Sequence, residues 1–99
     1  MNDPKIVEDS FYEDCLEIGR IPAGSQSIRV ALVHRDSTVG LDIRKFKRDG
    51  KPTTGILFNS QEQVQELLKL LNDSTAIVRY ADSGKIDFDS FDKEDVSNG

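Results

Sequence analysis

Residues 39–58 read Val39-Gly40-Leu41-Asp42-Ile43-Arg44-Lys45-Phe46-Lys47-Arg48-Asp49-Gly50-Lys51-Pro52-Thr53-Thr54-Gly55-Ile56-Leu57-Phe58. Residues 39–47 fall into two period-two registers. Leu41, Ile43, Lys45 and Lys47 make one, and Asp42, Arg44, Phe46 and Arg48 the other, which predicts a strand whose end is basic on both sides. Asp49-Gly50 tolerates the backbone angles of a tight turn, and Pro52 lacks the amide that a central ladder requires. The chain is therefore expected to reverse there and return as a short strand over about residues 54–58.

On the N-terminal side, residues 27–34 are rich in β-branched and apolar side chains, with Ile28, Val30 and Leu32 alternating with Arg29, Ala31 and Val33. Neither face is strongly polar, so one side is expected to meet a helix or another subunit. Asp36-Ser37-Thr38 supplies the turn into residue 39. Residues 15–21 read as an earlier strand with Cys15, Glu17 and Gly19 on one side and Leu16, Ile18 and Arg20 on the other, closed by Pro22-Ala23-Gly24-Ser25. On the C-terminal side, Ser60 with Gln63, or Asn59 with Glu62, forms a capping box. Val64, Leu67, Leu68 and Leu71 then recur at i, i+3, i+4 and i+7, a single apolar stripe that Asn72-Asp73-Ser74 ends. Each of these side chains, if fully buried, contributes about 1.5–3 kcal/mol. The expectation is an α+β domain over residues 15–74: a four-stranded antiparallel curved sheet followed by one amphipathic C-terminal helix. Residues 1–14, acidic and without periodicity, read as a flexible N-terminal segment, and residues 75–99 as an acidic, disordered C-terminal tail, within which residues 76–80 read as either a short helical or an extended stretch.

The length of 99 residues allows one domain. A chain this short buries a modest fraction of its surface, which makes a dimer an expected way to complete the core. Lone Cys15 has no disulfide partner, and with one histidine there is no zinc ligand set. A reducing, intracellular setting is expected: the nucleus in a eukaryote, the cytoplasm or nucleoid in a bacterium or virus. No apolar run is long enough to span a bilayer, and the start is acidic where a signal peptide is basic and then apolar.

The formal net charge of -5 is distributed in blocks. Residues 1–19 are strongly acidic, and residues 73–99 are acidic again. Between them, Arg20, Arg29, Arg35, Arg44, Lys45, Lys47, Arg48 and Lys51 face only Asp36, Asp42 and Asp49 in residues 20–58. A basic middle between acidic flanks is either a cationic binding face with acidic appendages or a solvated sheet without a partner. Catalytic chemistry finds no support. His34 comes with no nucleophile, its nearest partner in sequence being Asp36. Cys15 has no neighbour that would lower its pKa and reads as a small hydrophobe. The order Asp82, Gly84, Asp87, Asp89, Asp92 does not fit a calcium loop, and no phosphate-cradling glycine motif occurs. The chain is read as a non-enzyme with no cofactor and no metal. A basic sheet can hold a single strand by phosphate contacts while aromatic rings or arginine planes stack on bases. The candidate contacts are the eight cations of residues 20–58, with Phe46 as the central aromatic; equally, Phe46 could be core and the cations solubilising.

Residues 16–71 resemble the single-stranded DNA-binding domain of the family of the transcriptional coactivator positive cofactor four. The resemblance lies in Leu16-Glu17-Ile18-Gly19-Arg20, in residues 39–46, in Gly50-Lys51-Pro52 leading to Gly55-Ile56-Leu57, and in the Asn59-Ser60 start of a leucine-rich helix, all in the family's order. It implies a four-stranded sheet crossed by a helix, a symmetric homodimer, and cationic channels that hold single DNA strands with little sequence preference. Arg20, Arg44 and Lys51 match basic places of its motifs. Gln63 and Val64 stand where the family has an early helical aromatic, and Thr53 and Thr54 where it carries more bases, which implies weaker or more salt-sensitive binding. Val64, Leu67, Leu68 and Leu71 are expected at the dimer seam or in the core.

The function expected is sequence-nonspecific single-stranded DNA binding in transcription, replication or recombination, alone or with proteins of those processes. The alternative is a protein-interaction module that uses the basic sheet and acidic tails. The charge blocks also suggest that the acidic flanks fold back over the cationic face and compete with DNA.

Overall fold

The computed structural model describes residues 3–91. The chain divides into two compact units, Met1–Leu67 and Leu68–Gly99. The first holds one antiparallel sheet with its strands in sequence order: β1 (Lys5–Ile6), β2 (Asp14–Ala23), β3 (Gln26–Arg35), β4 (Thr38–Phe46) and β5 (Pro52–Phe58). Helices α1 (Gln61–Asp73) and α2 (Thr75–Ser83) follow, then a single 3-10 turn at Phe88–Ser90.

The expected four-stranded sheet with one C-terminal helix is thus corrected to five strands and two helices. The additional strand comes from the acidic N-terminal segment. Lys5 and Ile6 pair with Glu17 and Leu16, and the Val7 amide continues the ladder to the Cys15 carbonyl at 2.9 Å. Two residues are too few to show an alternation, and backbone hydrogen bonds to β2 define the strand. The second helix arises at Ser74, which does end α1 but is itself an N-cap. Its backbone is extended, and its hydroxyl accepts the Ile77 amide at 3.1 Å.

The connections follow their residues. Gly24, at φ +66°, closes the Ala23–Gln26 pair in a two-residue turn, so Pro22 and Ala23, read as part of that turn, instead end β2. Asp36 and Ser37 both take positive φ between paired Arg35 and Thr38, the geometry that matches the strands' right-handed twist. At Asp49-Gly50 the Gly50 amide donates to the Lys47 carbonyl at 2.9 Å and the Lys51 amide to Asp49 Oδ1 at 3.0 Å. Pro52 begins an edge strand, where its missing amide costs no central ladder bond. The helix start is as read: Ser60 Oγ accepts the Gln63 amide at 3.2 Å, and the Gln63 side chain returns to the Asn59 amide at 2.9 Å.

One irregularity decides which side chains meet. Glu17 pairs with Ala31, but the next β3 residue, Val30, pairs with Gly19, leaving Ile18 as the extra residue of a bulge. Strict alternation puts Arg20 opposite to Glu17; the bulge turns it onto the same face, where its Nε lies 3.0 Å from Glu17 Oε1. That face carries Cys15, Glu17 and Arg20 of β2, Arg29, Ala31 and Val33 of β3, and Asp42, Arg44 and Phe46 of β4. Tyr12, Cys15, Ala31 and Val33 form its buried apolar cluster, with Val7 packed against it. The core of the sheet therefore lies beneath residues 7–12. The opposite face is apolar and less covered: Ile28, Val30, Leu41 and Ile43 are half-buried, while Leu32 and Ile56 are exposed. Helix α1 contributes no buried residue. Val64 and Leu67 are half-buried, and Leu68 and Leu71 are exposed.

Candidate nucleic-acid interface

Arg20, Arg29 and Arg44 are direct cross-strand neighbours and form a row across β2, β3 and β4. Like charges placed opposite one another destabilise a sheet unless something compensates. Two features do. The guanidinium carbons of Arg20 and Arg29 each lie 4.7 Å from the centroid of the Phe46 ring, so one aromatic serves two cations. The adjacent cross-strand row supplies carboxylates, with Glu17 and Asp42 both paired with Ala31.

Asp42 is fully buried and joins this cluster. It accepts from the Tyr12 hydroxyl at 3.2 Å, from Arg29 Nη2 at 3.3 Å, and from Arg44 Nη2 at 2.8 Å. Its hydrogen bond is the leading reason the Arg44 guanidinium holds its proton more tightly than usual. Burial first, then the Asp42 charge, pushes the Tyr12 phenol above its ordinary range. Gly55 pairs with Arg44, and a Cβ there would stand 2.6 Å from Arg44 Cβ and 3.0 Å from its Nε. The absence of a side chain at position 55 leaves room for the guanidinium to reach Asp42.

The N-terminal segment closes over the row. Asp9 Oδ2 lies 3.2 Å from Arg29 Nη1, while Asp9 Oδ1 accepts the Phe11 amide at 2.8 Å and the Tyr12 amide at 3.3 Å. Burial alone would raise the Asp9 pKa; these amides and Arg29 outweigh it and hold the carboxyl below its ordinary value. Between segment and sheet lies an open cleft of about 560 Å3, lined by the three arginines, Phe46 and Asp9 and reaching Gly50 and Pro52 of the β4–β5 turn.

The other candidate cations are distributed differently. Lys47, Arg48 and Lys51 are exposed in the β4–β5 turn, and among the described residues none takes part in an ion pair. Lys45 pairs with Ile28 on the opposite face from Arg44, as the alternation requires. Arg35 stands at the far end of the sheet, half exposed, with its guanidinium 3.9 Å above the Phe11 ring. Phe46 is buried beneath arginine planes, so its ring is not open to a base. His34 meets Asp14 at 3.1 Å rather than Asp36. Buried Cys15 has its thiol pKa raised by desolvation, as suits a packed hydrophobe. Tyr12, Asp9 and Gly55 carry no local pattern that marks them as members of this cluster. Asp42 was readable as sharing a register with Arg44 and Phe46, but its central role was not.

Among the described residues no cluster of His, Cys, Asp or Glu could hold a metal ion, and no helix is long and apolar enough to cross a membrane. No family model, curated protein or solved structure matches the chain.

Proposed function

We propose that this protein binds single-stranded DNA without sequence preference, along the arginine row and out over the β4–β5 turn, in transcription, replication or recombination inside the cell. The observation that carries the reading is the convergence of Arg20, Arg29 and Arg44 in one cleft that reaches the turn bearing Lys47, Arg48 and Lys51, which form no ion pair among the described residues. A backbone laid along this path meets hydrogen-bonded guanidinium groups inside the cleft and exposed ammonium and guanidinium groups at its mouth. Phosphate contacts then supply most of the affinity. The motif order shared with the positive cofactor four family supports the same reading. That resemblance also favours a homodimer, in which a second copy covers the half-exposed apolar face of β3, β4 and β5.

A second reading is favoured by the carboxylates. Glu17, Asp42 and Asp9 neutralise the arginine row, and a neutral, hydrogen-bonded face suits a protein partner better than a polyanion. Titration of a labelled oligo-dT and a matched duplex at two salt concentrations separates the two. Tighter binding of the oligo-dT, weakening as salt rises, supports the first reading; no binding of either even at low salt favours the second.

A further inference from the structure

The arginine row is only partly served by its own sheet. Asp42 reaches Nη2 of Arg29 and Asp9 reaches Nη1, but Nε of Arg29 is buried and has no hydrogen-bond partner among the described residues. The Arg29 side chain is 3% exposed, so that donor is shielded from bulk water. Of the two terminal nitrogens, Asp42 of the sheet takes Nη2, and Nη1 is left to the Asp9 carboxylate, which engages it through a single oxygen. Asp9 thus stands as a one-point anion on a guanidinium nitrogen that the sheet itself leaves open.

The segment that carries Asp9 is lightly attached. Between Lys5 and Phe11 no residue is buried; Val7 and Asp9 are half-covered and the remainder exposed. Its strand pairs two residues with β2. Tyr12, in contrast, is 6% exposed and belongs to the buried cluster. A segment with few buried contacts joined to a firmly packed residue opens locally without unfolding the rest. The charge balance gives opening a consequence. With Asp9 in place, Arg20, Arg29 and Arg44 face Glu17, Asp42 and Asp9, and the row is neutral. Without it the row carries one net positive charge.

We propose that residues 5–11 are a built-in competitor for the polynucleotide: the Asp9 carboxylate holds the place of a phosphate on Arg29, and the segment swings out about Tyr12 when a strand enters the cleft. This regulates the site of the proposed single-stranded DNA binding and rests on that reading. Closed, the segment admits only strands able to displace it, so binding is discriminated by phosphate density as well as by net charge.

The test compares the full-length protein with D9N and with E8Q, which removes the same charge one residue away from a side chain in no ion pair among the described residues. Affinity for oligo-dT is measured at low salt, together with hydrogen exchange of the Val7 amide, which bonds the segment to the Cys15 carbonyl of the sheet at 2.9 Å. D9N is expected to bind about fivefold or more tightly than the parent, the low end of measured site-to-site couplings, and E8Q within about twofold of it. In the unmodified protein, saturating oligo-dT is expected to accelerate exchange at Val7. Equal affinities of parent and D9N, or equal tightening by D9N and E8Q, overturn the competitor while leaving the DNA-binding reading in place. Retained amide protection in the bound protein overturns it as well, and does so even if D9N fails to fold. Absence of oligo-dT binding by all three proteins overturns the DNA-binding reading and the competitor with it.

Discussion

Replacing Asp42 by asparagine removes one charge from the most buried polar group of the sheet and changes its volume little. In the native protein this carboxylate holds Tyr12, Arg29 and Arg44 at 2.8 to 3.3 Å. Removing one partner of a buried ion pair costs about 3–5 kcal/mol, because the other charge is left without compensation. Two features place D42N at the lower end. The Arg44 side chain is 23% exposed and can turn to water, and Arg29 retains Asp9. The expected loss is about 3 kcal/mol, a large share of the 5–15 kcal/mol that holds a typical domain together. With a urea m-value near 2 kcal/mol/M, the unfolding midpoint falls by about 1.5 M. The chain has no Trp, so far-UV circular dichroism is the suitable probe. D42N also leaves the arginine row with one extra positive charge, so affinity for oligo-dT at low salt rises while stability drops. A midpoint shift under about 0.5 M would refute the reasoning, since it would mean that Arg29 and Arg44 are satisfied without Asp42.

Gly55→Ala places a Cβ 2.6 Å from Arg44 Cβ and 2.9 Å from the Ile43 carbonyl, so Arg44 must move off Asp42. A loss of about 1–3 kcal/mol is expected, read as a lower urea midpoint; an unchanged midpoint would show that β5 shifts freely. The raised Tyr12 pKa gives an alkaline signature. The folded protein keeps the phenol protonated where the unfolded chain ionises, so its contribution is complete below the ordinary value of 10.0 and is lost as pH rises through the higher folded-state value. The phenolate absorbance missing from Y12F should accordingly titrate above 10.0, and a difference titrating at or below that value contradicts the burial of Tyr12 against Asp42. Ser60→Ala removes the acceptor of the Gln63 amide and should cost about 1 kcal/mol, visible as a lower thermal midpoint with unchanged oligo-dT affinity. A coincident loss of affinity would tie α1 to the cleft.

The sequence disclosed what depends on near neighbours. The β4–β5 hairpin, the registers of β3 and of β4 as far as Phe46, the Asp49-Gly50 turn and the Ser60–Gln63 cap are set by alternation, backbone preference or a three-residue spacing and are found, whereas Lys47 and Arg48, expected to extend the strand, lie in the turn. What it concealed depends on long-range pairing. A two-residue strand has no period, so β1 was invisible until its ladder to β2 was seen. The bulge at Ile18 shifts Arg20 by one position without altering composition, and period-two reading therefore put Arg20 on the wrong side of Glu17. Helix α2 begins one residue after α1 ends, and Ser74 reads equally well as a stop and as a start. For the site, Arg20, Arg29, Arg44 and Phe46 could be named, but not the carboxylates that hold them. Asp9 and Tyr12 lie in a segment without periodicity and meet Arg29 and Asp42 at sequence separations of 20 and 30.

The central claim is that the arginine cleft and the β4–β5 turn together receive a single strand through its phosphates. The most direct measurement is the salt dependence of oligo-dT binding by the parent and by K47A/R48A/K51A, whose three replaced side chains are exposed and form no ion pair among the described residues. Each phosphate contact on a single strand contributes about 0.7 to the slope of log K against log salt, so loss of all three should flatten the slope by about 2. A slope identical to the parent's, in a variant with the parent's unfolding midpoint, would contradict the claim.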